Sequence, residues 1–473
     1  MKNLIYILLA MVVISQSACK KELNALPKNA EVYGNAIVDE PSANVALNGA
    51  YYCFANANNT STNWNNNKIM GSLFAGYIGS GNGATEDESD IFGNTTYTSE
   101  WGRYYTLINA ANGVNQGVEA VADNKFANGR KTQIMAEARF LRAFGHFKLL
   151  SYFGEWFDIT SPNGIIIENQ FNTLSNINLP RSTVKDCYTS ILSDLDYAIA
   201  NAADVSSNVY VSKWTAMALE MRVLLSRNQG TDLAQVMTLA NNIINSKRYT
   251  LEPNEKDIFY TKGLASSEVM LGIQPQANQY LSYTNSSLDF IGASSLYESK
   301  PALVTLLKND PRYSWVIGKP DTNNVGNYYF IKYVQPAEVS TQLSEVAYAF
   351  RLSEVYLMLA EATVSSGGNL DTARGTLKTV MMHAGVTDFT AINAATTTDE
   401  MSEQIYDEYA RNFVGEDGIE WMALLRLLQR FPNASTALIR PTITSTVQYI
   451  LPIPHAEFLS NPNIGAQNPG YSK

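Results

Sequence analysis

Residues 132–153, TQIMAEARFLRAFGHFKLLSYF, are the stretch of the sequence that most directly indicates the fold. Apolar side chains recur at Met135, Ala138, Leu141 and Phe144, which is the spacing of one buried face of an α-helix. A helix of this kind has to bury its apolar face against a neighbour. The stretch therefore predicts one helix within a larger helical scaffold.

The same periodicity returns along most of the chain. Further helices are predicted near 45–54 and at 104–121, 183–203, 213–226, 233–246, 350–365, 370–384 and 400–428. Helix pairs of roughly 35 to 45 residues are typical of tetratricopeptide-like hairpins, although the strict repeat consensus is absent here. The expected fold class is therefore mainly α, with a tetratricopeptide-like helix-pair scaffold.

Two long segments, 55–98 and 255–335, interrupt this pattern. They are rich in Asn, Gly, Ser, Thr and Tyr and show few clear periods, which predicts irregular inserts. Loops of such length in a compact protein are usually functional, so the inserts are the expected binding surface. From Phe431 onward the chain is proline-rich and is expected to be extended.

The amino terminus has the pattern of a bacterial export signal. Lys2 precedes the apolar run 4–14, and the stretch 15–18 leads directly to Cys19. The run is too short to span a bilayer, which takes roughly 20 residues. A cysteine in this position favours a lipoprotein signal, although Gln16 stands where such signals usually have leucine; the alternative is a plain secretory signal.

The predicted organisation follows from this assignment. Residues 1–18 are the signal peptide, and residues 19–45 form a tether lipidated at Cys19. Residues 46–473 form a single globular domain with an N-terminal part, 46–205, and a C-terminal part, 206–473. Since no later stretch reaches 18 apolar residues, the lipid is the expected membrane attachment.

Composition excludes several classes of function. Hydrophobic residues make up 45% of the chain and charged residues 16%, as in an ordered globular protein. The net charge of −10 argues against binding nucleic acid or anionic lipid. After lipidation of Cys19 only Cys53 and Cys187 remain, and whether they form a disulfide stays open.

Blocks along the chain resemble the SusD/RagB nutrient-uptake lipoproteins of Bacteroidetes. EARFLRAF (137–144), continued by FKLLSYFGE (147–155), is similar to the signature helix of that family, and RLSEVYLMLAEA (351–362) is a near-complete match. Further similar blocks follow the family order: YTLINAAN (105–112), VSK (211–213), DPR (310–312), LPIP (451–454), NPN (461–463) and QNPGY (467–471). The resemblance spans residues 101–471.

The resemblance implies a role in nutrient uptake. It implies a surface-exposed outer-membrane lipoprotein that acts as a lid on a SusC-like, TonB-dependent barrel. The cargo is expected to be an oligosaccharide, or alternatively a peptide, bound without chemistry or cofactor. A helical glycoside hydrolase, which would need two carboxylates about 5 to 10 Å apart, and an adhesive surface protein are the alternatives.

One block departs from the family pattern. The family usually has arginine at the positions of Tyr409 and Glu420, and acids at those of Asn412 and Ala423. This removes charges from an ion-pair network near a helix junction. Because such networks are weak evidence for stability, the fold is expected to form all the same.

Aromatic residues in the two inserts are the predicted ligand-binding residues. An aromatic ring face can stack on a sugar while amides at its edge bond the hydroxyls. The candidates are Trp64, Tyr77, Tyr280, Tyr283, Tyr297 and Trp315. The first of these lies in the Asn-rich stretch 61–67.

Charged motifs are expected to be structural. The signature charges Glu137, Arg139, Arg142, Glu354 and Glu361 are predicted to pair within the scaffold, because buried charges need partners. The acidic stretch 86–90 offers oxygen ligands for Ca²⁺ but lacks EF-hand spacing, so a solvated turn is expected there. The single histidines His146, His383 and His455 show no metal-ligand spacing.

Overall fold

The structure is a computed structural model that describes residues 36–56, 61–80, 96–204, 207–274, 297–320, 326–333, 346–431 and 443–472. Helices dominate these residues, which confirms the mainly α, helix-pair fold class. The predicted signal, Cys19 and most of the tether lie outside the described residues. Within the described part, no helix has both the length and the apolar character needed to cross a bilayer.

The helices follow one another as antiparallel neighbours for most of the chain. Their bounds are α1 Glu40–Phe54, α2 Trp64–Phe74, α3 Glu100–Glu119, α4 Arg130–Phe153, α5 Val184–Asn201, α6 Lys213–Arg227, α7 Asp232–Ser246, α8 Pro301–Leu307, α9 Tyr313–Val316, α10 Leu352–Ser365, α11 Leu370–His383, α12 Thr390–Ala394, α13 Thr398–Phe413, α14 Ile419–Arg430 and α15 His455–Ser460. Helix α4 packs along both α3 and α5, and α6–α7, α10–α11 and α13–α14 form further pairs. The predicted pairing of helices is therefore confirmed.

Side-chain caps fix where several helices begin. Thr183 caps α5 by accepting the amide hydrogen of Asp186, and Ser212 and Thr397 form capping boxes at α6 and α13. Asp39 does the same for α1, with Pro41 in the first turn. Helix α1 thus begins at Glu40, and the prediction that the tether runs to residue 45 is wrong at this end.

The first insert contains a helix, α2, in a segment that was predicted to be irregular. Helix α2 carries three asparagines and a glycine, which lower helix propensity, yet every residue from Asn67 to Phe74 is buried. The Asn63 side chain caps it by accepting from the amides of Asn65 and Asn66. Tertiary packing overrides propensity here, so the loop prediction for 55–98 is wrong over this helix.

The predicted helix 400–428 is in fact two helices. Helix α13 ends at Phe413 and α14 begins at Ile419, and the backbone between them turns through Gly415 and Gly418, both at positive φ. The turn lets α14 fold back on α13 and approach α2. The missed signal was a pair of glycines three residues apart inside an otherwise periodic stretch.

Short strands form two small antiparallel sheets. The strands are β1 Ile78–Ser80, β2 Val269–Ile273, β3 Tyr297–Ser299, β4 Ile317–Pro320, β5 Tyr328–Phe330 and β6 Ala347–Arg351. Strands β2 and β6 pair inside the core, whereas the other four form a sheet in the order β1-β3-β5-β4. The second insert is therefore partly β-structure, which its lack of a clear period did not reveal.

One continuous hydrophobic core joins the scaffold. It includes residues from Ala43 in α1 to Ile464 near the carboxyl end, and all helices longer than seven residues contribute to it. Trp101 is buried on α3 against Phe153. A core shared this widely holds the bases of both inserts on a rigid support.

Candidate functional site

The sheet formed by β1, β3, β5 and β4, called here the insert sheet, is the candidate site. Its strands come from separate stretches of both inserts, and the antiparallel register pairs Gly79 with Glu298 and Glu298 with Tyr329. Opposed residues of neighbouring strands point to the same face, so these three positions form one cross-strand row. The two inserts therefore meet in one surface.

Three tyrosines on the insert sheet remain half-buried: Tyr297, Tyr328 and Tyr329. The row beside Tyr329 holds the Glu298 carboxylate, which is only 1% exposed and accepts a hydrogen bond of 2.7 Å from the Asn327 amide. A Cβ atom on Gly79 would lie 2.6 Å from the Cε atom of Lys300. The lysine side chain therefore packs over Gly79, in the space that a larger residue there would fill. In this register Tyr329 shares the face of Glu298 and Gly79, whereas Tyr297 and Tyr328 lie on the opposite face of the sheet.

Tyr297 is the one predicted ligand-binding residue that the described structure places half-buried on the insert sheet. It opens β3, and its backbone pairs with Ser80 of β1. Tyr280 and Tyr283 lie outside the described residues. The remaining three candidates are core residues, and the expectation that they are exposed in loops is wrong.

Trp64 is fully buried at the start of α2. Its indole Nε1 donates to the carbonyl oxygen of Phe54 at 2.6 Å, and its ring packs against Phe54 and Phe144 at centroid distances of 5.6 and 6.1 Å. No ring face is left for a ligand. The neighbouring asparagines suggested a polar loop, but Asn63 acts as the helix cap.

Tyr77 and Trp315 support the insert sheet from below. The Tyr77 hydroxyl lies 3.0 Å from that of Tyr406, and the Tyr77 carbonyl oxygen accepts from the amide of Lys300 at 2.9 Å. Burial raises the pKa of Tyr77 well above its ordinary value. Trp315, 5% exposed, stacks on Phe259 at 5.6 Å. Both residues position the sheet rather than face solvent.

Tyr328, Tyr329 and Asn327 were missed by the sequence analysis. The available signal was the run Gly326-Asn327-Tyr328-Tyr329-Phe330, in which a turn-forming pair precedes three aromatic residues of high strand propensity. The surrounding segment lacks helical period, which hid this short strand. Tyr329 is half-buried and Phe330 is buried, and this difference depends on the register of β5 with β3.

The chemistry available on the insert sheet suits binding. Among the residues of its four strands, Glu298 is the one acidic side chain, and it is buried. Hydrolysis of a glycosidic bond normally uses two accessible carboxylates. Strongly perturbed carboxyls occur elsewhere: burial raises the pKa of Glu255 to about 7 and that of Glu420 to about 8, but both lie deep in the scaffold. These strands therefore provide a contact surface.

Most of the signature charges pair inside the scaffold, as predicted. Glu137 accepts from Arg130 and from the Tyr51 hydroxyl, each at 2.7 Å. Glu354 pairs with Arg222, and Glu361 with Arg426 and Arg430. Arg142 donates to both carboxylate oxygens of Asp194 at 2.6 and 2.7 Å.

Arg139 does not follow this prediction. Within the described residues it has no carboxylate partner and no hydrogen bond, and its Nε atom is buried. Its guanidinium carbon instead lies 4.0 Å from the centroid of the Tyr197 ring. One signature arginine thus remains without an acid.

The block that departs from the family pattern forms a dense polar contact. Asn412 accepts from Arg351 at 2.8 Å, and Glu420 accepts from the Ser72 hydroxyl on α2. Arg351 also pairs with Glu416 and Glu268 at 2.9 and 2.7 Å. Ala423 is buried, and the Tyr409 ring lies 5.9 Å from the Arg426 guanidinium. Helices α13 and α14 pack together with these replacements in place.

The other groups singled out in the sequence are structural or lie outside the described residues. His146 is buried, its Nε2 accepts from the amide of Glu168 at 3.2 Å, and burial lowers its pKa to about 3. Cys53 and Cys187 are free thiols. No group of three metal-ligating side chains occurs among the residues described, and the acidic stretch 86–90 is not among them.

Comparison with protein families gives two matches in chain order. A SusD-like family model, described as starch-binding and associating with the outer membrane, matches residues 21–225. The SusD family model matches residues 311–471. Together they cover most of the sequence. The chain belongs to the SusD family.

Individual relatives of this SusD-family chain are more distant. A SusD-like protein of Bacteroides ovatus is 24% identical over 326 residues, which cover 58% of this chain and 56% of the relative. The chain thus matches little more than half the length of that protein. The two family matches are therefore the stronger finding.

Solved structures share the fold over nearly the whole chain. A SusD superfamily protein of Bacteroides thetaiotaomicron has a TM-score of 0.72 at 21% identity, covering 91% of this chain and 99% of that one. One from Parabacteroides distasonis has a TM-score of 0.74 at 19% identity, covering 91% and 99%. A laminarin-binding SusD-like protein has a TM-score of 0.70 at 21% identity, covering 92% and 100%.

Proposed function

We propose that this SusD-family chain binds an oligosaccharide on the insert sheet and passes it to a SusC-like TonB-dependent barrel in the outer membrane. The observation that carries this proposal is the half-buried ring of Tyr329, which lies on one face of the insert sheet with the Asn327 amide and the Lys300 stem nearby. The protein acts as a capture lid and makes or breaks no bond. The cargo is an oligosaccharide in the first instance.

The chemistry of the insert sheet favours a sugar ligand. A tyrosine ring offers an apolar face to the C–H surface of a pyranose, and its hydroxyl can bond the sugar. Asn327 and Lys300 add amide and ammonium donors at the edge of the same surface. Because β3 and β5 are fixed by backbone pairing, little conformational entropy is lost when a ligand binds.

Relatives support the same substrate class. The family model over residues 21–225 is described as starch-binding, and one structure of the same fold is named as laminarin-binding. The location at the outer membrane rests on the same family description and on the sequence pattern that ends at Cys19. Lipidation of that cysteine would hold the protein on the membrane surface.

Isothermal titration of the purified chain, without its lipid, against neutral glucans and other oligosaccharides tests the proposal. We expect at least one glycan to bind and its affinity to fall when Tyr329 is replaced by alanine. Binding of short peptides with no response to any glycan would instead identify a peptide cargo. Release of shorter products from a labelled glycan, abolished by changing one carboxylate, would overturn the non-enzymatic role.

The barrel partner is tested in membranes of the native host. A tagged form of the chain should co-purify with a TonB-dependent barrel after mild detergent extraction. A Cys19→Ala variant should leave the membrane fraction, because its anchor is lost. Purification from membranes without any barrel would favour an adhesive role.

A further inference from the structure

A cavity of about 490 Å³ lies between α4 and α5, on the scaffold rather than on the insert sheet. Its volume falls within the range of small-molecule sites. Polar side chains make up most of its lining, among them Arg139, Asn169, Thr189, Ser190 and Ser193. We call it the α4–α5 groove.

Helix α5 presents a polar face to this groove. Its apolar residues Val184, Cys187, Ile191 and Leu195 are buried in the core. Thr189 and Ser193 lie on the opposite side of the helix and are exposed, and Ser190 lies half-buried at the flank between the two sides. The groove is therefore lined by short hydroxyl side chains on a rigid element.

Arg139 is the one cation among the residues lining the groove that has no carboxylate partner in the described part of the chain. Its neighbour Arg142 is neutralised by Asp194 and also donates to Asn112 at 2.8 Å. Every other arginine in the described part of the chain has a carboxylate partner, except Arg181, which donates to two carbonyl oxygens and an amide. The Arg139 guanidinium is held over the Tyr197 ring at 4.0 Å.

The carboxylates that also face the groove do not neutralise Arg139. Asp194 is committed to Arg142 through both oxygens. Asp186 accepts from the Thr183 hydroxyl at 2.7 Å in the first turn of α5. It stands about 16 Å along the helix axis from Tyr197, given the rise per residue of an α-helix. An anion beside Arg139 would thus meet a positive charge.

We propose that the α4–α5 groove binds a carboxylate-bearing sugar, such as a uronate unit of an acidic oligosaccharide. The planar guanidinium of Arg139 accommodates a carboxylate through two parallel hydrogen bonds. Ser190, Ser193 and the Asn169 amide supply partners for the hydroxyl groups of the sugar ring. The site is separate from the insert sheet and is tested independently of it.

The test compares a galacturonate trimer with the same trimer after its carboxyls have been reduced to alcohols. By isothermal titration at low salt we expect the wild-type chain to bind the acidic trimer at least tenfold more tightly. Arg139→Gln should abolish that preference, and Arg139→Lys should restore only part of it, because an ammonium group lacks the planar fork. Arg248→Gln, at an exposed arginine elsewhere, is the matched control and should retain the preference.

A second variant keeps the arginine and fills the site. Ser193 is exposed, so Ser193→Trp should block the groove without disturbing the core, and it should weaken binding of the acidic trimer at least tenfold. Circular dichroism and the thermal midpoint establish that each variant is folded. Equal affinity of the wild-type chain for the two trimers, or a preference that survives Arg139→Gln, would overturn the proposal.

A peptide is the competing source of a carboxylate. Tripeptides with a free and an amidated carboxyl terminus form that arm of the experiment. Binding of the free peptide that depends on Arg139, with no binding of the uronate, would refute the sugar assignment. Neutral glycan binding at the insert sheet should be unchanged in both groove variants, so failure of this site and failure of the proposed function remain distinguishable.

Discussion

The helical scaffold and the insert sheet treat tyrosine differently. In the scaffold, Tyr104 is fully buried between helices, and its hydroxyl donates to Asn67 of α2 at 2.9 Å. On the insert sheet, Tyr329 is half-buried and stands beside a buried carboxylate in a strand of three residues. The same side chain is thus fully buried in one region and half-buried on a sheet in the other.

Charges show the same division between closed and open regions. Arg351 and Glu416 are almost completely buried and are joined by two hydrogen bonds. Arg139, on a helix of the same scaffold, faces a groove and has no acid. A buried charge without a partner is costly, so the charges left over at a surface are the ones available to a ligand.

The largest effect is expected from opening the closed network. Arg351→Ala would leave Glu416 and Glu268 buried without their main counter-ion, which should lower the free energy of unfolding by about 3–5 kcal/mol. Urea unfolding followed by circular dichroism measures it. Arg248→Ala is the control, since Arg248 and Asp204 are 45% and 46% exposed, and it should change stability by less than about 1 kcal/mol. A similar loss of unfolding free energy in the two variants would contradict the distinction between buried, paired charges and exposed ones.

A somewhat smaller effect is expected where α2 and α14 touch. A Cβ atom on Gly71 would overlap the Cα atom of Gly418, so Gly71→Ala must push the two helices apart. We expect a loss of about 1–3 kcal/mol in urea unfolding. Gly49→Ala, on α1 where no atom lies within 4 Å, should instead stabilise the protein by about 0.5–1 kcal/mol. A neutral Gly71→Ala would show that α2 is not held in this way.

A pH-dependent effect is expected from Glu420. Burial raises its pKa to about 8 in the folded chain, above the ordinary value of 4.5. Between those two pH values the folded state binds more protons than the unfolded state, so this group lowers stability progressively as pH rises from about 4.5 to 8. Glu420→Gln, which stays neutral, should become progressively more stable than the wild type as pH rises from about 4.5, with the largest difference near pH 8.

The same comparison at low pH is the control for Glu420. Near pH 4 both proteins carry a neutral side chain at this position, so their stabilities should converge. Glu255 and Asp407, whose pKa values burial raises to about 7 and about 6, give both proteins a residual slope of the same sign. A constant difference between the two proteins at all pH values would contradict a protonated Glu420.

The helical scaffold was largely predictable, because the regular spacing of apolar residues in a long amphipathic helix can be read from the sequence. Segments such as 132–153 and 370–384 were placed within two residues of α4 and α11. Helix α2 was not predicted, because its asparagine and glycine residues are typical of loops. Its burial results from packing against helices distant in sequence, including α14. The break between α13 and α14 depends on two glycines at positive φ. The apolar period continues across these glycines, so the sequence pattern predicts one uninterrupted helix.

The sequence predicted the residue types of the candidate site, but it did not predict which individual aromatic residues lie on the insert sheet. The sequence indicated aromatic residues in the inserts, and Tyr297 lies on the insert sheet. Trp64 and Trp315 had the same local context but are buried, because burial is set by contacts distant in sequence, such as those with Phe144 and Phe259. The missing partner of Arg139 is likewise a tertiary fact, which no spacing within the helix could reveal.

The smallest effect, and the sharpest comparison of the two regions, is expected from paired tyrosine variants. Tyr329→Ala should weaken binding of a glycan ligand about tenfold, as expected for loss of one aromatic contact, and change the free energy of unfolding by less than about 1 kcal/mol. Tyr356→Ala removes a half-buried tyrosine of scaffold helix α10 and should leave glycan affinity unchanged. Titration calorimetry and urea unfolding of both variants provide the measurements. Equal glycan affinities for the two would mean that the insert sheet is not the binding surface, since Tyr329 would then contribute no more than a tyrosine of a scaffold helix.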